Sequence, residues 1–406
     1  MQFFDSELCG RCKGKGLCGG PCKIIARIKG FAPKRKLHFS GSTPPEIFVG
    51  RHNYPEINAG VLSPEIYGNT KEISMPEIWH SKRMSIEEIL SKRISLVYSK
   101  FKTPVKGNAS KFVETMQEIG LADKPFSAEI FLEKVPKVSI NIDSHVPLIG
   151  NPAPLKTIRL EENPHVHKKV DYLSGDIHTK ADIAVRELYK SNIAVSSIIK
   201  VFSAGMLGLK KNRKLVPTRW SVTAVDDTLS KMLLDKIRHY QEISEILVFN
   251  SEYLGNHYEF LLLPDKFSFE VIEAKMPGSV WNPFSQEINF YSDYEGFFGR
   301  KEYASNVTGA YYVNRLALAE YLEKMQRQAS CLVLREVRQE YYAPLGVGIL
   351  RQASREAFKG VPERFSTIQE AFEKMQTRMK LPVSLFGEKS ALLKNHGKQA
   401  RLCKWL

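Results

Sequence analysis

Cys9, Cys12, Cys18 and Cys22 stand at the spacing C-x2-C-x5-C-x3-C. Four thiolates on so short a stretch can close a tetrahedral shell around Zn²⁺. Gly10, Gly14, Gly16, Gly19 and Gly20 lie among them. A chain wrapping one ion needs positive φ at several places, and glycine permits it cheaply. An iron–sulfur cluster is the competing reading of an all-thiolate set, and four unrelated thiols the bland one. Cys331 and Cys403 stand alone. In a cytosolic chain this clustering points to metal rather than disulfides.

Three further constellations lie in the body. Pro264-Asp265 is followed by Glu273-Ala274-Lys275. This resembles the PD-(D/E)xK pattern of nucleases, in which two carboxylates hold Mg²⁺ and a lysine orients water. A period of two places Phe267, Phe269, Val271, Glu273 and Lys275 on one strand face. An exposed Glu–Lys strand end is the alternative. In the second constellation, Ser42 and Thr43 offer hydroxyls and open amides, Arg51 and Asn53 follow one short strand later, and Arg219 and Trp220 open a later segment. Hydroxyls and arginines can cradle phosphate, and a tryptophan can stack a base. Packing around a core tryptophan is the alternative. The third, His165, His167, Asp171, Asp176 and His178, has weak metal-ligand spacing.

The chain stops on QARLCKWL. Gln399, Leu402, Trp405 and Leu406 have the spacing of a short peptide that docks on the ring-shaped sliding clamp. One tight helical turn brings an aliphatic and an aromatic side chain to one face. A tail tucked against its own protein is the alternative.

These residues need elements to hold them. Residues 1–39 read as a zinc-binding head built on the four cysteines, residues 40–385 as a body, and residues 386–406 as a flexible basic tail, the break marked by Gly387-Glu388. EIFVGR reads as a short strand. MSIEEILSKRISLVYSK reads as a helix with Ser85 as its cap. TKADIAVRELYKSNIAVSSIIKVFSAGM reads as one long helix, and RWSVTAVD as a strand. ISEILVFNSEYLGNHYEFLLLPDKFSFEVIEAK reads as an antiparallel meander turning at Gly255-Asn256 and Pro264-Asp265. Helices follow around LALAEYLEKMQRQA, ILRQASREAFKG and TIQEAFEKMQTRMK. The expected fold class is α+β, a large mixed body behind a zinc knuckle.

The formal charge is +15 and the pI about 9.3. Polyanions, DNA or RNA, are the expected partners. No run of about 18 apolar residues suggests a membrane span, and no signal peptide is recognisable, so a cytoplasmic protein is expected.

Head CGRCKGKGLCGGPC, blocks STPPEIFVGRHNYPEINAG and VPTRWSVTAVDD, and tail QARLCKWL together resemble the archaeal Nre family of DNA-repair factors, the NreA type. The resemblance covers essentially the whole chain. It implies a role in repair coupled to the sliding clamp, of the type called PCNA, and carries no assigned reaction. The expected function is a DNA-binding repair factor. A Mg²⁺-dependent nuclease using Asp265, Glu273 and Lys275 is the alternative, with RNA processing or nucleotide binding as a third.

Overall fold

A computed structural model describes residues 36–107, 110–137, 143–283 and 285–396. Cys9, Cys12, Cys18 and Cys22 lie outside the described residues, as do Gln399, Leu402, Trp405 and Leu406. The expected single body divides into two units. One takes the described residues up to Leu229 together with Ala343–Ile349; the other takes Ser230–Tyr342 and the described residues from Leu350 onward.

In the first unit, β1 (His38–Thr43), β2 (Ile47–Val49), β3 (Glu56–Ser63), β4 (Val97–Pro104), β5 (Phe126–Leu132) and β6 (Asn151–Leu160) form a sheet of order β1-β5-β6-β4-β3-β2. Neighbours are antiparallel except β4 and β6. β5 shows why one face is a core: Phe126, Ala128, Ile130 and Leu132 alternate inward while the residues between them stay half-buried. The helices are α1 (Pro76–Ser81), α2 (Ile86–Ile94), α3 (Lys111–Leu121), α4 (Lys168–Gly175), α5 (Ala181–Lys190) and α6 (Val195–Ser203). α3 lays Val113, Met116 and Ile119 on the sheet, where they join Phe39, Ile57, Ile130 and Ile158 in one cluster. The spacing of three residues keeps them on one helical face.

Ser85 caps α2 as expected. Its Oγ accepts from Glu88 N at 3.2 Å, and Glu88 Oε2 accepts from Ser85 N at 2.7 Å. Such a reciprocal cap contributes about 1 kcal/mol. The expected helix overshoots, because it ends at Ile94 and the β-formers Val97 and Tyr98 begin β4. The long helix from Thr179 is two, α5 and α6, broken at Asn192, whose φ is 59°. RWSVTAVD is not a strand. It opens α7 (Thr218–Ile237), which carries the chain across the division between the units. The helical period emerges only over a longer stretch: Val222, Val225, Leu229 and Leu233 recur every three or four residues and are buried.

In the second unit, β7 (Gln241–Glu242), β8 (Ile246–Tyr253), β9 (Asn256–Leu263), β10 (Ser268–Lys275) and β11 (Asn289–Glu295) precede α8 (Gly309–Met325), β12 (Arg327–Gln328) and β13 (Ser330–Val337). α9 (Val347–Ala357), whose first three residues belong to the first unit, is followed by β14 (Glu363–Phe365), α10 (Ile368–Gln376), α11 (Val383–Lys389) and α12 (Ala391–Asn395). The main sheet has order β11-β10-β13-β9-β8-β14, with β7 and β12 paired apart. β8 and β9 form the expected hairpin, but β9 and β10 do not pair. β13 lies between them, antiparallel to β9 and parallel to β10. The meander is therefore a mixed sheet. The parallel pair requires a crossover, which β11, α8 and β12 provide. Every residue of β9 and of β13 is buried, as befits strands covered on both faces.

Residues 386–396 belong to this core rather than to a linker. Phe386 and Leu392 are buried in one cluster with Leu261, Ile272, Leu332 and Met375. Glu270 accepts from Ser390 Oγ at 2.6 Å, Ala391 N at 3.0 Å and Leu392 N at 2.9 Å, fastening α12 to the sheet. Gly387 is no break. It lies within α11, where a Cβ would come within 3.0 Å of Phe372. Among the described residues no helix is long and apolar enough to cross a membrane.

Candidate nucleic-acid interface

The first unit brings two distant blocks of sequence together. Thr218, the first residue of α7, accepts a hydrogen bond from Val49 N at the end of β2, at 3.0 Å. That contact sets the first turn of α7 beside the loop after β2. Two residues on from Thr218, the Trp220 ring lies 5.2 Å from the Tyr54 ring, tilted by 54°. Both rings are open to solvent, Trp220 at 43% and Tyr54 at 41%. Asn53 turns the chain toward Tyr54 with φ of 63°, a conformation asparagine tolerates. Lys214 Nζ donates to Tyr54 Oη at 3.3 Å. An exposed aromatic pair thus has a lysine at one side and Arg219 in the next position along the helix.

Arg219 is fixed by Asp143, whose Oδ2 lies 3.2 Å from its Nη1. Asp143 Oδ1 accepts from His145 N at 2.8 Å, and His145 Nδ1 lies 2.9 Å from Ser144 Oγ. His145 is buried. Its pKa is lowered to about 4, and burial is the largest cause. The Arg219 guanidinium contributes to the same depression, Asp143 opposes it, and the Arg51 guanidinium adds to it. Arg51 and Arg219 therefore both lie within electrostatic reach of one imidazole. The result is a neutral histidine within reach of two cations, one of which, Arg219, precedes Trp220 in sequence. Guanidinium groups bind phosphate oxygens with fixed geometry, and exposed rings stack bases.

Ser42 and Thr43 do not join this group. Thr43 is buried, and its Oγ1 donates to Pro44 O and Leu62 O, each at 3.1 Å. Ser42 Oγ accepts from Gly68 N at 3.0 Å, and Ser42 N donates to Ile66 O. The Thr43 hydroxyl holds the end of β1 to β3 and the Ser42 hydroxyl holds it to the loop after β3, so both are engaged within the fold. The histidine cluster is also dispersed. His165 pairs with Asp123 at 2.6 Å, His167 caps α4 by accepting from Lys169 N, and Asp176 turns its own loop through His178 N and Thr179. Asp171 lies in the first turn of α4. Among the described residues no group of three or more His, Cys, Asp or Glu could hold a metal ion.

The nuclease-like residues, in the second unit, are not assembled. Asp265 precedes β10, while Glu273 and Lys275 lie at its far end. At about 3.3 Å per residue, roughly 17 Å separates Ser268 from Glu273. Asp265 accepts from its neighbour Lys266 N at 2.8 Å and lies 3.5 Å from His396. Glu273 is buried and ion-paired with Arg335, and Lys275 Nζ lies 3.7 Å from it and 3.9 Å from the centre of the Tyr291 ring. Neutralised by an arginine, that carboxylate is a poor ligand for Mg²⁺. Strand parity does hold, since Phe269, Val271, Glu273 and Lys275 share a face, but the face is interior.

Reasoning from sequence missed Asp143, His145, Tyr54 and Lys214. Tyr54 stood inside a quoted block and could have been paired with Trp220 as a second aromatic. Asp143 and His145 carried no signal, because their importance comes from Arg219, far away in sequence.

Residues 17–282 match the family description "Archaeal Nre, N-terminal", and residues 295–405 match "Archaeal Nre, C-terminal". The chain is 36% identical to "DNA repair protein NreB" of Archaeoglobus fulgidus over 98% of its length and 100% of that protein. It is 37% identical to "DNA repair protein NreA" of Haloferax volcanii, covering 85% of this chain and 83% of that one. Against "DNA repair protein NreA" of Archaeoglobus fulgidus the identity is 35%, over 92% of this chain and 94% of the relative. No solved structure matches. With both halves matched and relatives of similar length above 30% identity, the chain belongs to the archaeal Nre family.

Proposed function

We propose that this protein is a DNA-repair factor that grips frayed or single-stranded DNA on the Tyr54–Trp220 face. The observation that carries this reading is the pair of half-exposed rings 5.2 Å apart, in the unit that sets Arg51, Lys214 and Arg219 near them. Rings take the bases and cations take the phosphates. The net charge of +15 supplies longer-range attraction to a polyanion. The names of the relatives support the repair context. In this reading Cys9, Cys12, Cys18 and Cys22 hold one Zn²⁺ as a basic knuckle against the backbone. Gln399, Leu402, Trp405 and Leu406 dock the protein on a PCNA-type sliding clamp.

The test is binding of fluorescent oligonucleotides at several salt concentrations. Trp220→Ala should weaken single-stranded DNA binding by about 5- to 150-fold, the worth of one lost base stack of about 1–3 kcal/mol. Arg219→Ala should lower the salt dependence by about one phosphate contact. Unchanged binding by both variants would refute the assignment. Tighter binding of structured RNA than of DNA would shift the reading to RNA processing.

A further inference from the structure

Beside the aromatic pair the first unit holds a cavity of about 380 Å³. Its apolar lining includes Phe202, Leu209 and Val216, and Asn212, Lys180 and Lys214 also line it. Lys214 joins the two features. It lines the cavity, and its Nζ reaches Tyr54 Oη on the platform. We infer that this cavity receives a single nucleobase drawn out of its stack, with the Tyr54–Trp220 pair holding its neighbours.

Three properties favour that occupant. The volume sits near the lower end of small-molecule sites, roughly 300–1,000 Å³, which suits a base with part of its sugar. An extruded base is recognised by stacking on apolar side chains and by hydrogen bonds to its polar edge. Phe202, Leu209 and Val216 offer the first, and the exposed amide of Asn212 can both donate and accept for the second. The lysines suit the phosphates on either side of the base.

The cavity is also built rigidly. Arg213 ties its wall to the neighbouring loop, donating from Nε to Gly208 O at 2.9 Å and from Nη1 and Nη2 to Ser174 O and Asp176 O, each at 2.6 Å. Val216 N donates to Ser203 O, closing the opposite side. Gly205 has φ of 72°, and a Cβ there would come within 2.5 Å of Lys214 O, so the stretch of wall that carries Lys214 needs glycine behind it. Arg213 is a positioning residue in this scheme. A pre-formed pocket avoids the ordering cost that a collapsed one would impose on binding.

The inference rests on the DNA-binding reading and is tested separately from it. Full-length protein is titrated into single-stranded and mismatched duplex oligonucleotides carrying one 2-aminopurine, with anisotropy and 2-aminopurine emission read in parallel. Binding should raise the emission several-fold as the base leaves its stack. Leu209→Trp, which fills the cavity from a half-buried position, should abolish the rise while anisotropy affinity stays within about twofold, since the platform and its cations are untouched. Asn212→Ala, an exposed change, guards against misfolding and should reduce the preference among bases at the probed position. DNA bound with no change in emission, or with a rise that survives Leu209→Trp, overturns the cavity inference and leaves the DNA reading standing. Absence of DNA binding removes the DNA reading. Free nucleosides and nucleotides then decide the cavity: heat of binding lost in Leu209→Trp supports a nucleobase site for a free ligand, and no heat overturns it.

Discussion

Acidification offers a direct probe of the site through His145. Its imidazole is buried, with Asp143, Arg51 and Arg219 as its charged neighbours, and its pKa falls to about 4 from an ordinary value of 6.5. The folded protein therefore binds this proton less tightly than the unfolded chain. The associated stability is fully present above about pH 6.5 and is lost as pH falls toward 4. A depression from 6.5 to about 4 corresponds to about 3 kcal/mol in full. Between pH 7 and pH 5 the loss should be about 2 kcal/mol. Denaturant midpoints for the wild type and for His145→Gln at those two pH values isolate the contribution, because every other titrating group is common to both proteins. The variant should be less stable at pH 7, and its deficit should shrink by about 2 kcal/mol at pH 5. NMR of the His145 ring protons should show no titration above about pH 5. An imidazole titrating near 6.5, or parallel pH dependences for the two proteins, would refute the argument that burial and two guanidinium groups hold it neutral.

Other outcomes follow from the same reasoning. Arg335→Met should destabilise the second unit by about 3–5 kcal/mol, because Glu273 is left as a buried charge without its arginine; hydrogen exchange of β10 and β13 amides reads the loss. Deleting residues 399–406 should abolish binding to a purified sliding clamp in calorimetry while leaving the circular dichroism spectrum and DNA affinity unchanged; loss of all three would make the tail structural. Metal analysis should find about one zinc per chain, and Cys9→Ser with Cys12→Ser should release it; an iron signal with visible absorbance would replace zinc by a cluster.

Much of the architecture was legible where the signal is local. The hairpin of β8 and β9 follows from runs of β-formers around an expected turn at Gly255-Asn256, which the structure places one residue earlier at Leu254-Gly255, and the cap at Ser85 from the glutamates that follow it. The four-cysteine spacing and the spacing of Gln399, Leu402, Trp405 and Leu406 are likewise local patterns, and both lie outside the described residues. The errors share one cause. Eight residues of RWSVTAVD match a period of two by chance, whereas the burial of Val222, Val225, Leu229 and Leu233 shows itself only over the length of α7. Gly387 was mistaken for a break because nothing nearby in sequence announces Phe372 against it.

The amino-acid sequence by itself determined the element types with strong periodicity, the basic character, the family blocks and the residues Arg219 and Trp220. The tertiary structure decided which of those residues meet. It placed β13 between β9 and β10, so that Arg335 neutralises Glu273, and it set Trp220 against Tyr54 and Arg219 against Asp143. The physical reason is that periodicity and capping depend on neighbours a few residues apart. Strand order and the pairing of a charge depend on partners far away in sequence, and those are chosen by burial and by electrostatic compensation in the folded core.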